Sequence, residues 1–202
     1  MPDYEISISD GILSFLSKEV GTEGKKTVFL DRDGVLNLRI EGGYVTRWSE
    51  FTLLPGVKDA LRSLSESGFQ LVIVSNQAGV AKGKLTAETL IEITKRALEE
   101  FSSAGGNIAG ALFCLHQPAD NCGCRKPQPG LLRKAMQELP VNTESSFMVG
   151  DSPADIQAGS AVGLKTIYVT EQAKPEVIAT TYAKDLEGAA RWVIQDQSSR
   201  EP

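Results

Sequence analysis

Asp31 and Asp33 stand two residues apart in the segment Asp31-Arg32-Asp33-Gly34-Val35-Leu36-Asn37, directly after the apolar run TVFL at 27–30. A carboxylate can attack phosphorus if a cation cancels the repulsion between the two anions, and a second carboxyl beside it can carry protons. An ordinary acidic turn after a strand uses the same residue types, so the pair gains meaning only from its company. A calcium-binding EF-hand fits less well, because that loop needs Asp or Asn at position 35 and Gly at 36, where Val35 and Leu36 stand.

Three further segments supply that company. A second apolar run, LVIV at 71–74, ends in Ser75-Asn76-Gln77, which offers a hydroxyl and an amide where phosphate oxygens need neutral donors. The loop from Ala78 to Leu85 nearly matches a Walker A phosphate loop. It lacks the first Gly and the closing Ser or Thr, which argues against a nucleotide-hydrolysing or kinase site. Arg125-Lys126-Pro127 precedes a helical pattern through Leu131, Leu132 and Ala135, and a lysine there can neutralise charge on a nucleophile and on a transferring phosphoryl group. The plain alternative is a solvated surface cation. A run at 146–149 leads into Gly150-Asp151-Ser152-Pro153-Ala154-Asp155. Magnesium takes one or two carboxylates together with water and phosphate oxygens, so Asp151 can share with Asp31 what neither holds alone. Asp155, one helical turn on, can orient Lys126 or metal-bound water, or simply favour a helix N-terminus.

All three cysteines and the single histidine lie in the eleven-residue window Cys114 to Cys124. Three thiolates and one imidazole, Cys114, His116, Cys122 and Cys124, suit tetrahedral zinc, and four protein ligands leave no open position for a reactive water. A disulfide would leave one cysteine unpaired. The zinc is therefore expected to be structural, shaping the loop that delivers Arg125 and Lys126.

The elements that must hold these residues can be read from the apolar pattern. Short runs at 27–30, 71–74, 108–114, 146–149 and 165–169 read as strands. Val57, Ala60, Leu61 and Leu64, and then Leu90, Ile93, Ala97 and Phe101, recur at helical spacing. Pro55 and Gly56 open the first helix, Ser152-Pro153 caps another, and Leu186, Ala189, Ala190 and Val193 mark a closing one. This alternation predicts an α/β domain with a doubly wound, mainly parallel sheet over residues 25–202, preceded by an extension at 1–24. In the extension Ile12, Leu13, Leu16 and Val20 are compatible with a short outlying helix or a mobile tail. No stretch leaves room for a full cap domain; Arg39 to Phe51 reads as a flap in which Tyr44, Arg47 and Trp48 could meet a substrate.

Composition sets the outer limits. Hydrophobic residues make up 41% and charged residues 23%, a globular balance, and no segment reaches the ~18 apolar residues of a membrane span. The acidic start MPDYEISISDG does not resemble a secretory signal, so a cytoplasmic location is expected. A net charge of -5 gives no general affinity for nucleic acid, and an anionic ligand must be held by local cations. The sequence does not fix the oligomeric state; a monomer is compatible with it.

Taken together, DRDG at 31–34, Ser75-Asn76, Lys126 and GDSPAD at 150–155 resemble the haloacid dehalogenase superfamily, over most of residues 26–170. The resemblance implies a magnesium-dependent phosphohydrolase. Asp31 would be the nucleophile, Asp33 the acid and base, and Ser75 and Asn76 phosphate ligands. Lys126 would stabilise charge, and magnesium would be held by Asp31, Asp151 and the Asp33 carbonyl. The segments CLHQPADNCGCRKP, SNQAGVAKGKLT and FMVGD narrow the likeness to the subgroup of zinc-loop phosphatases acting on D-glycero-D-manno-heptose 1,7-bisphosphate or on histidinol phosphate, with the heptose enzymes nearer. For a bisphosphate, Arg125, Lys82 and Lys84 are the cations expected to hold the second phosphate. A signalling receiver carries its phosphorylated aspartate after the third strand of its sheet. A zinc-organised module without catalysis would leave Asp31, Asp33, Lys126 and Asp151 unexplained.

Overall fold

The computed structural model describes residues 3–19, 21, 23–172 and 176–198. A single eight-stranded sheet runs through it in the order β1-β2-β5-β4-β3-β6-β7-β8. Its strands are β1 (Tyr4–Ser9), β2 (Ile12–Ser17), β3 (Thr27–Leu30), β4 (Gln70–Asn76), β5 (Ile108–Cys114), β6 (Phe147–Gly150), β7 (Lys165–Val169) and β8 (Thr181–Ala183). From β5 through β8 every neighbouring pair is parallel; β2 alone runs the other way, antiparallel to both β1 and β5. The five expected strands lie where their apolar runs predict, and they are buried along their length because helices cover both faces of the sheet.

The helices are α1 (Val57–Glu66), α2 (Ala87–Ser103), α3 (Gly130–Glu138), α4 (Pro153–Ser160) and α5 (Leu186–Ser198). One core gathers the apolar stripes of α1, α2 and α5 on one face of the sheet, including Leu61, Leu64, Ile93, Phe101 and Val193. The other core packs Leu131, Leu132 and Ala135 of α3 and Ala158 of α4 against Phe29, Val72, Leu112 and Met148. Among the described residues no large cap domain interrupts this three-layer arrangement.

Two features depart from the sequence reading. Residues 4–17 form neither helix nor tail but a β-hairpin, whose second strand pairs with β5 and buries Leu13 and Phe15 completely. Asp10 and Gly11, with φ of 50° and 67°, make the two-residue turn that a hairpin of this twist requires. The apolar residues Ile12, Leu13 and Leu16 fit a helical spacing as well as a strand buried on both faces, and Asp10-Gly11 was the signal that separates the two. Val20 lies outside the described residues. β8 was also unforeseen, being three residues long and only partly buried.

The strand order places a switch point at β3. From β3 the chain winds outward through β4 to β5 and then returns to lay β6 on the other side of β3. Connections leave the carboxyl end of β3 in opposite directions, and this opens a crevice above it. Asp31 is the first residue beyond that end, and its N–H donates to Val149 O at 2.9 Å.

Candidate active site

A cavity of about 520 Å³ occupies the crevice and is lined by Asp31, Asp33, Ser75, Asn76, Lys82, Arg125 and Lys126, all singled out in the sequence. The buried Lys126 ammonium sits at its base. Nζ lies 2.9 Å from Asp31 Oδ1, 2.5 Å from Asp155 Oδ1 and 2.7 Å from Val74 O, so its three protons have three acceptors. Burial alone would lower the Lys126 pKa, but Asp155 and Asp31 outweigh it and raise the pKa above the ordinary lysine value. Asp31 shows the converse balance: burial and the negative charge of Asp155 raise its pKa, against the opposing pull of Lys126.

Asp155 is completely buried and serves two elements at once. Its Oδ2 accepts from the Ser152 N–H at 3.0 Å and the Ser152 hydroxyl at 2.6 Å, closing the N-terminus of α4, while Oδ1 fixes Lys126. Of the two roles open to Asp155, orienting the lysine and favouring a helix start, the structure contains both. Asn76 locates the same lysine through its backbone. Its Nδ2 donates to Lys126 O at 2.9 Å and its Oδ1 accepts from Lys126 N–H at 3.0 Å, so this amide is largely committed to the lysine rather than extended into the cavity. Ser75 Oγ accepts from Gln77 Nε2 at 3.2 Å, which leaves its own proton to donate.

Asp33 is held by residues that the sequence gave no reason to single out. Arg32 Nη2 donates to both its carboxylate oxygens, at 3.0 and 2.9 Å, with Asn37 Nδ2 at 2.9 Å and Gln77 Nε2 at 2.8 Å. Burial raises the Asp33 pKa, but the Arg32 charge and these donors prevail and leave it below the usual carboxylate range. Their involvement follows from the tight turn at 32–37, in which the Asn37 carbonyl accepts from Gly34 N–H at 2.7 Å, and from a partner forty-four residues on in Gln77. Neither can be read from local spacing.

Arg39 was placed in the flap without a role, yet its Nη2 gathers three oxygens of the site. It lies 3.0 Å from Asp33 O, 2.6 Å from Asp151 Oδ1 and 3.9 Å from Asp31 Oδ2. Two carboxylates and a backbone carbonyl thus converge on one cationic point, which is the donor set a hard divalent cation takes. Burial, with the charge of Asp31, pushes the Asp151 pKa up to about 7, although Arg39 opposes this. Asp31, Asp151 and Asp155 have carboxylate oxygens mutually within 4.8 Å. Asp155 is already spent on Lys126 and Ser152, so Asp31, Asp151 and the Asp33 carbonyl are the better fit for magnesium. Gly34 permits this approach: its φ is 92°, and a Cβ there would lie 1.9 Å from Asp151 Oδ2.

Elsewhere in the flap, Tyr44 lines the cavity and stands 5.6 Å from Lys82 Nζ. Trp48 instead stacks on Phe51 at 5.2 Å, and Arg47 pairs with Glu50, so neither faces the site. Lys84 is not among the cavity-lining residues.

The second metal-ligand set lies beside the first site. Cys114 closes β5, and Cys114, Cys122 and Cys124 have Sγ separations of 3.2–3.7 Å, with His116 Nδ1 at 3.6 Å from Cys114 and 3.3 Å from Cys124. These are close to the edge lengths of a tetrahedron around zinc with bonds of about 2.0–2.3 Å. The set therefore fits zinc through Nδ1. Arg125 follows immediately and donates from Nη1 to His116 O at 3.3 Å, which ties the cysteine–histidine loop to the cavity wall. Gly11 of the hairpin turn packs against the His116 ring: a Cβ there would lie 2.3 Å from Cε1, and its carbonyl accepts from Leu115 N–H at 2.9 Å.

The haloacid dehalogenase-like hydrolase family model matches residues 3–163. The chain belongs to that family, and it is a phosphoric monoester hydrolase within it. The particular relatives are consistent among themselves. The D-glycero-beta-D-manno-heptose-1,7-bisphosphate 7-phosphatase of Yersinia pestis is 37% identical over 180 residues, 86% of this chain and 92% of that protein. The enzyme of the same name from Escherichia coli is 35% identical over 174 residues, 83% of this chain and 87% of that one. Among solved structures, D,D-heptose 1,7-bisphosphate phosphatase from B. bronchiseptica, complexed with magnesium and phosphate, superposes with a TM-score of 0.77. It is 30% identical, covering 85% of this chain and 99% of the other. No helix among the described residues is long and apolar enough to cross a membrane.

Proposed function

We propose that this chain is a magnesium-dependent D-glycero-D-manno-heptose 1,7-bisphosphate 7-phosphatase working through an aspartyl phosphate on Asp31. The observation that carries the substrate reading is the division of cations within one cavity. Lys126 is fully engaged with Asp31 and Asp155 at the base, whereas Arg125 and Lys82 line the same cavity without a carboxylate partner among the described residues. One set suits a reacting phosphate and the other a second, remote phosphate. Histidinol phosphate, the runner-up, carries a cationic amine, which gains nothing from Arg125 and Lys82. The names of the relatives support the same choice.

In this reading Asp31 attacks phosphorus and the ester oxygen leaves. Asp33 gives that oxygen a proton and then takes one from the water that hydrolyses the acyl phosphate. Arg32 holds Asp33 ionised, which suits the second half; the first half requires its carboxyl to leave that contact, take up a proton from solvent and turn to the cavity. Ser75 donates to a phosphate oxygen, and Lys126 opposes the charge on the nucleophile and the transferring group. Magnesium, held by Asp31, Asp151 and the Asp33 carbonyl, would supply the charge cancellation that lets one anion approach another. Zinc on Cys114, His116, Cys122 and Cys124 would be structural, fixing the loop of Arg125 and Lys126. A cytoplasmic location belongs to this proposal, since three thiols gathered as metal ligands suit a reducing compartment.

The test is a ranking of kcat/KM over the heptose bisphosphate, histidinol phosphate and simple phosphomonoesters with magnesium. The proposal expects the bisphosphate first; histidinol phosphate first would overturn the assignment, and no phosphate release from any ester would overturn the chemistry. Arg125→Ala should raise KM for the bisphosphate about 10- to 100-fold, as for a lost charge-assisted contact, and spare a small monophosphate. Equal losses on both, with a lower melting temperature, would assign Arg125 to bracing the zinc loop alone.

A further inference from the structure

The outer edge of the sheet is β1, and its register reveals which of its backbone groups point away from the molecule. Ser9 and Ile12 close the two-residue turn, and Lys18 N–H donates to Asp3 O at 3.0 Å. Mutually bonded pairs recur at every second residue of an antiparallel ladder, so Asp3, Glu5, Ser7 and Ser9 bond inward to β2. Tyr4, Ile6 and Ile8 therefore turn their N–H and C=O groups outward. No described strand pairs with that edge.

Natural sheets blunt such an edge with lysine, proline, a bulge or a covering segment. The strand YEISIS contains neither lysine nor proline and carries a single charge, the exposed Glu5, and its register with β2 runs without a shift over all six residues. Ile8 is 51% exposed. Tyr4 and Ile6, on the same side of the strand, border a cavity of about 280 Å³ floored by Phe15 and Leu98.

We propose that β1 pairs antiparallel with β1 of a second copy of this chain, about a two-fold axis that passes through Ile6 perpendicular to the sheet, joining two sheets into one. The partner follows from the strand's self-complementarity. Apolar residues meet apolar residues across the seam only if the axis passes through a residue, because a half-step shift sets Ile6 opposite Ser7 and mismatches the faces. An axis through Glu5 opposes two like charges. One through Ser7 forms two mutually bonded pairs, both between Ile6 and Ile8. The axis through Ile6 forms three, Ile6 with Ile6 and Tyr4 with Ile8 twice, and sets each exposed Ile8 beside the partner's cavity mouth. The rim there carries Lys95 and two anions, Glu99 and Asp3, the latter paired with Lys18, so a second copy meets no uniform repulsion.

Sedimentation velocity on the full chain, from about 5 to 500 µM, tests this in the range expected for an interface below standard size. The mass of the wild-type protein should rise toward that of a dimer. Ile8→Pro removes an outward N–H and leaves the bonds to β2 intact, and Ile8→Lys places a charge in the seam. Each should weaken the dimer at least about 10-fold, with circular dichroism and phosphatase turnover unchanged. If Ile8→Pro disturbs the fold, Ile8→Lys decides alone. A wild-type protein monomeric throughout, or a dimer unaffected by a folded Ile8 variant, would overturn the proposal.

Discussion

Lys126 carries three protons and finds three acceptors in Asp31, Asp155 and the Val74 carbonyl, all in a site nearly closed to solvent. Removing the ammonium leaves two buried carboxylates facing each other. Lys126→Ala should therefore lower kcat for every substrate by a factor on the order of 10² to 10³, as for other preorganised charge stabilisers. It should also cost stability, by about 3–5 kcal/mol if the carboxylates stay ionised. Steady-state kinetics at a temperature where circular dichroism shows the variant folded would check the first part; a kcat near wild type would remove Lys126 from the chemistry. At this scale the sequence pointed to the residues proposed to carry the chemistry: Asp31, Asp33, Ser75, Lys126 and Asp151 each follow a strand or precede a helix at a readable place. It did not show Arg32, Asn37 and Gln77, whose part is to hold Asp33, because that depends on a turn folding back and on a partner from another strand. Arg39 was hidden for the same reason, since its contact with Asp151 spans 112 residues.

At the scale of elements, the β1–β2 hairpin explains why the loop of the proposed zinc ligands can sit where it does. Cys114 ends β5 opposite Ile12, and the turn residue Gly11 lies flat against His116. Gly11→Ala would drive a methyl group into the imidazole and strain a backbone with φ of 67°. The variant should release zinc to a chromogenic chelator several times faster than wild type, the scale seen when a group supporting a metal ligand is lost. Unchanged release would show that the turn and the ligand are independent. The sequence misread this hairpin because β2 is buried on both faces and so shows no alternation; its apolar residues suit either period. The five central strands and five helices were legible because they are bounded by strong punctuation, such as Ser152-Pro153 and Pro55-Gly56, and because helices and strands alternate as a parallel sheet demands.

For the molecule as a whole, the two proposed metal sites differ in hardness and closure, and chelation should separate them. The oxygen set near Asp31 and Asp151 would lose magnesium to mild EDTA, stopping turnover until magnesium returns, while zinc on three thiolates and an imidazole should remain bound. Elemental analysis after that treatment should find about one zinc per chain, as four protein ligands imply. A fully folded and active protein prepared without zinc would contradict the structural role. The switch point of the sheet brings Asp31, Asp151 and Lys126 together at the carboxyl end of β3, and the proposed chemistry rests on what Asp31 does there. Its most direct test is intact-protein mass spectrometry of enzyme rapidly mixed with the heptose bisphosphate and magnesium and then quenched in acid, followed by peptide mapping. The account predicts a transient gain of one phosphoryl group on Asp31, and neither that gain nor turnover in a folded Asp31→Asn variant. Turnover retained in Asp31→Asn, or a phosphoryl group mapped to another residue, would contradict it.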